Sequence, residues 1–70
     1  MIWTDTTFMS HATLTGHHKI SVRERKGVWF VRVLGVEHHN TAPDRDAAKR
    51  LAETLALEAA REMVKVLEAE

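Results

Sequence analysis

The chain contains no cysteine, so neither a disulfide nor a thiolate zinc site can hold it together. Tyrosine is also missing, and the aromatic residues are two tryptophans and two phenylalanines. One proline and three glycines in 70 residues leave no room for a linker or a low-complexity segment. No apolar run approaches the roughly 20 residues that a membrane-spanning helix needs. Charge of one sign is not in surplus. Ten Lys and Arg balance ten Asp and Glu, unlike the strong basic footprint of a dedicated nucleic-acid binder. Catalytic signatures are missing as well: there is no glycine-rich phosphate loop, no nucleophile motif and no pair of carboxylates on the expected sheet. A non-enzymatic protein without a cofactor is expected. The opening residues Met1 to Asp5 lack the basic start and apolar core of a signal peptide, which implies a soluble, cytoplasmic protein.

Apolar residues make up 44% and charged residues 29%, the balance of an ordinary globular domain, read here as one domain over 1–70. A chain this short buries only about 60% of its unfolded surface, so a partner subunit is a common source of extra stability.

The strongest local pattern lies between Lys19 and Leu34. Two arms rich in β-branched and aromatic residues flank Lys26-Gly27, which predicts a hairpin with a two-residue loop. In that register Arg25 faces Val28, Glu24 faces Trp29, Val22 faces Val31 and Ile20 faces Val33. One face then collects Ile20, Val22, Trp29, Val31 and Val33. The other collects Lys19, Ser21, Arg23, Arg25, Phe30, Arg32 and Leu34. A slip of one residue would set apolar positions opposite polar ones, so the pattern selects this pairing.

Upstream, residues 1–7 have no clean period and read as an irregular lead-in, with Trp3 tucked against the sheet edge or the helix. Alternation over 8–14 predicts a first strand, with Phe8, Ser10, Ala12 and Leu14 on one face. A three-residue loop through Gly16 would set that face beside Ile20 and Val22. The second and third strands are expected over 18–25 and 28–36, after which His38 and His39 leave the sheet. A helix is expected over 42–68. Thr41 caps it, Asp44 completes a capping box and Pro43 lies in the first turn. Ala48, Leu51, Ala52, Leu55, Ala59, Met63 and Val66 form its apolar stripe. The expected fold is therefore α+β: a three-stranded antiparallel sheet in β-β-β-α order, with one long C-terminal helix packed on one face. Such a helix outruns a seven-residue strand, about 37 Å against about 23 Å. Its overhang carries a second stripe, Leu57, Ala60, Val64 and Leu67. Either Trp3 and the N-terminal segment cover that stripe, or it is the seam of a homodimer.

Two further groups of residues point to chemistry. His17, His18, His38 and His39 converge on one end of the expected sheet, and imidazole suits zinc, copper or nickel. Adjacent histidines on a strand point to opposite faces, however, so each pair offers one ligand per side. The open sheet face carries Lys19, Arg23, Arg25, Phe30 and Arg32. Arginines beside an aromatic residue suit phosphate and base contacts, or a protein partner.

The run Ile20-Ser21-Val22-Arg23-Glu24-Arg25-Lys26-Gly27-Val28-Trp29, the following Arg32-Val33-Leu34-Gly35-Val36, and a capped helix opening Asp44-Arg45-Asp46-Ala47-Ala48 resemble small uncharacterised phage and prophage proteins. In outline the pattern is also similar to DNA-binding domains of the AP2 and integrase arm-binding type, which read DNA with sheet-borne arginines and a tryptophan. The first resemblance implies a phage-encoded module that binds a host or phage protein. The second implies DNA binding through Arg23, Arg25 and Arg32.

Overall fold

In a computed structural model, which describes residues 2–15 and 18–69, five antiparallel strands form one sheet in the order β1-β2-β3-β4-β5. The strands are β1 (Thr4–Asp5), β2 (Met9–Thr15), β3 (His18–Arg25), β4 (Val28–Val33) and β5 (Val36–Ala42); α1 (Arg45–Ala69) follows. The α+β class and the single C-terminal helix agree with expectation. The sheet, however, has five strands and not three, with one addition at each edge.

The central hairpin has the expected register: Ile20 pairs with Val33, Val22 with Val31, Glu24 with Trp29 and Arg25 with Val28. Lys26 and Gly27 take φ of 54° and 78°, the left-handed pair of a two-residue turn whose twist matches the strands. The strand expected over 28–36 breaks at a second turn of the same kind. Leu34 and Gly35 have φ of 52° and 81°. A leucine in that region is uncommon, and only Gly35 marks the turn in the sequence. The chain reverses there, so residues 36–42 pair back onto β4 and His38 and His39 remain in the sheet. The lead-in is likewise not wholly irregular: Thr4 and Asp5 pair with His11 and Ser10.

The first long strand begins at Met9, one residue later than expected. Phe8 is 62% exposed and lies outside the core. Its carbonyl accepts a hydrogen bond from Glu24 N at 2.9 Å, which closes the strand end. Ala12 still faces Ile20, because an irregularity between Thr13 and Thr15 absorbs the offset. The loop expected through Gly16 falls on residues 16 and 17, outside the described residues.

The helix starts at Arg45, not at 42. Thr41 sits in β5 opposite Phe30 and caps nothing. Asp44 is the cap: its Oδ1 accepts from Ala47 N at 2.8 Å, and its carbonyl accepts from Ala48 N at 3.0 Å.

The core forms between the sheet and the first half of the helix. Ile20, Val22 and Val31 are fully buried against Ala48 and Ala52, with Ala12, Trp29, Val33, Ala42 and Ala56 around them. Arg45 locks the helix start to the sheet. Its guanidinium lies 4.9 Å from the Trp29 ring centre and donates to the Thr6 and Thr7 carbonyls at 2.6 and 2.8 Å. Trp3 does reach the helix, but it meets the first half: Trp3 Nε1 donates to Glu53 Oε1 at 2.9 Å. It does not cover the helix tail, where Leu57, Met63, Val64, Val66 and Leu67 stand exposed.

Lys49 joins β1 to the helix, with its Nζ 2.9 Å from Asp5 Oδ1. The Ser10 hydroxyl and the Lys49 ammonium hold the Asp5 carboxyl below its usual value, while desolvation opposes them.

Two outcomes follow. Asp44→Ala removes the cap and should cost about 1 kcal/mol in a denaturant melt. A carboxyl whose pKa is lowered by folding stabilises the fold above its unfolded value of 3.8 and loses that contribution as pH falls through the folded value. The wild-type melting temperature should therefore drop below about pH 4 more steeply than that of Asp5→Asn, as read by thermal melts across pH 2 to 6.

Candidate interaction surfaces

Strand pairing decides which side chains share the sheet face opposite the helix. Arg23 stands across from Phe30 and Met9 from Arg23, while Ser21 lies between His11 and Arg32. Arg32 in turn faces Glu37. The sheet therefore brings Arg23, Phe30 and Arg32 together at its centre, in a shallow hollow also lined by Met9, Ser21 and Glu37. Lys19 lies in the adjoining hollow with His11, Ser21 and Arg32. Arg25, at the hairpin end, places its guanidinium 5.7 Å from the Phe30 ring centre. The five residues expected on this face, Lys19, Arg23, Arg25, Phe30 and Arg32, are thus one continuous surface.

Among the described residues the ion pair Lys49–Asp5 lies on the helix side, so none of the open-face cations is neutralised by a salt bridge. Glu37 is the one carboxylate that strand pairing sets among them. Leu34, held in the turn, lines the open-face hollow with Lys19, Ser21 and Arg32 and also packs against the helix-side core.

The histidines do not gather as expected. His18 opens β3 beside Thr15, whereas His38 and His39 lie within the edge strand β5. Phe30 pairs with Thr41 and Arg32 with Glu37, so His38, His39 and Asn40 bulge opposite Val31. His17 lies outside the described residues. No group of three or more His, Asp or Glu side chains among the described residues is placed to hold a metal ion. The reason is the Leu34-Gly35 turn: it folds His38 and His39 back along β4, away from His18.

A second surface lies on the helix. Leu57 and Val64 are about half exposed and Leu67 is 71% exposed; Ala60 is exposed between them. Where the helix leaves the sheet, Leu14, Leu34, Ala56, Leu57, Ala60 and Met63 line a groove of about 530 Å³. Sequence reading missed the sheet's contribution to this groove, because Leu34 enters it only through the positive-φ turn.

The chain matches no family model, no curated protein and no solved structure. No helix is long and apolar enough to cross a membrane.

The Arg25–Phe30 contact is open to a direct test. A double-mutant cycle with Arg25→Ala and Phe30→Ala should give a favourable coupling of about 0.5–1 kcal/mol, the range of exposed cation–aromatic pairs.

Proposed function

We propose that the chain is a non-enzymatic, cytoplasmic binding module whose open sheet face docks on an acidic surface of a protein partner. One observation supports this reading above others. Lys19, Arg23, Arg25 and Arg32 crowd one face with a single carboxylate, Glu37, and with Phe30 and Met9 between them. Arginine and aromatic side chains side by side are what buried protein contacts are enriched in. The resemblance to small phage and prophage proteins supports a phage-encoded module acting on a host or phage component.

DNA is the second reading, favoured by the same cations. The width of the sheet weighs against it. A three-stranded ribbon is about 10 Å across its strand axes, but β2 to β5 span three gaps of about 4.8 Å, or about 14 Å before side chains. The major groove is about 12 Å wide, so this face would lie across the phosphate rails and not enter the groove. Phosphate contacts alone position a protein without reading sequence.

Two measurements separate these readings. A partner cross-linked to the wild-type protein should be lost with Arg23→Glu and Arg32→Glu, both exposed and so expected to leave the melt nearly unchanged. Loss of the fold together with the partner would remove the support. For DNA, anisotropy on random duplexes should show affinity falling steeply between 50 and 200 mM salt. No binding at the lower salt would end that reading.

A further inference from the structure

Past Ala56 the helix continues over residues 57–69, about 20 Å at 1.5 Å per residue, beyond the buried core. Its apolar side chains are not scattered there. At 100° per residue, Leu57, Ala59, Ala60, Met63, Val64, Val66 and Leu67 fill one arc of about 180° that contains Ala56. Glu58, Arg61, Glu62, Lys65 and Glu68 fill the rest. The arc continues the sheet-facing stripe, but no strand lies beneath it among the described residues.

We propose that this segment packs against the same segment of a second copy, antiparallel, about a two-fold axis between Arg61 and Glu62. The order of side-chain sizes selects the occupant. Inversion about that point sets Ala56 opposite Leu67, Leu57 opposite Val66, Ala59 opposite Val64 and Ala60 opposite Met63. Every apolar position meets an apolar position, and the three alanines meet the three larger side chains, so the layers fill evenly. A parallel pairing would set alanine on alanine and leucine on leucine, leaving gaps in one layer and crowding in the next. Charge obeys the same inversion: Glu58 exchanges with Lys65, and Arg61 with Glu62. Opposed helix dipoles add to the preference for antiparallel pairing.

The groove completes the fit. Leu67 of the second copy falls opposite Ala56, which lines the groove together with Leu14 and Leu34. Each copy thus places the end of its helix into the open end of the other's core. The contact is isologous and closes at two copies. It leaves both open sheet faces free and does not depend on what they bind.

Sedimentation equilibrium of the full chain should give twice the 8.0 kDa chain mass at micromolar concentration. Leu67→Glu and Val64→Glu lie on the exposed tail, so both variants should keep their helical circular dichroism while the dimer weakens at least tenfold. Orientation is read by mixing Ala59→Cys protein with Val64→Cys protein under mild oxidation. The mixed disulfide is expected; preferential self-linking of either variant would show parallel helices and overturn the proposal. A monomeric wild-type chain at millimolar concentration, or a dimer indifferent to both glutamate variants, would overturn it as well.

Discussion

Everything in this domain depends on how closely one helix approaches the centre of the sheet. Three alanines at successive turns, Ala48, Ala52 and Ala56, form the buried line of the helix. With only a methyl group each, they let the helix backbone settle onto Ile20, Val22, Val31 and Val33. Bulk comes from the strands and smallness from the helix. That division suits a chain too short to bury large side chains from both layers. The flanks of the contact are then sealed by long amphipathic side chains. Arg45 lies over Trp29, and Lys49 lies over Trp3 while bonding Asp5. These residues tie β1 and the β1–β2 connection to the helix, although strand pairing alone would hold so short an edge weakly.

The central hairpin was legible because two signals agreed. Alternation over Ile20 to Val22 and Trp29 to Val33 set the face, and Lys26-Gly27 set the loop. The edge strands were not legible, and each for its own reason. β1 has two residues, too few to show a period. β5 reads Val36-Glu37-His38-His39-Asn40-Thr41-Ala42, with one buried residue, Ala42, at its end. An edge strand with a bulge buries little and so leaves little pattern. The reversal ahead of it rests on Leu34 at a positive φ, a conformation that leucine does not announce. From that single turn followed the misplacement of His38 and His39, and the added contact of Leu34 with the core.

Of the surfaces, the basic sheet face was legible almost whole, since it is the complement of the core pattern on the same two strands. The apolar helix tail was legible as a stripe but not as part of a groove. The groove needs Leu14 and Leu34, which come to the helix from the end of β2 and from the β4–β5 turn. The shift of the helix start from 42 to Arg45 shows the same limit in miniature. Thr41, Pro43 and Asp44 all suit a helix start, and pairing of Thr41 with Phe30 decides among them.

The two edges of the sheet also bear on how the domain behaves in a crowded solution. An exposed strand edge is a template on which further chains can add, and long flat edges invite fibres. Here one edge is two residues long and the other is interrupted where His38, His39 and Asn40 stand opposite Val31. Neither offers the unbroken row of amides and carbonyls that strand addition requires. The short first strand and the bulge in the last therefore disfavour edge-to-edge growth of the sheet.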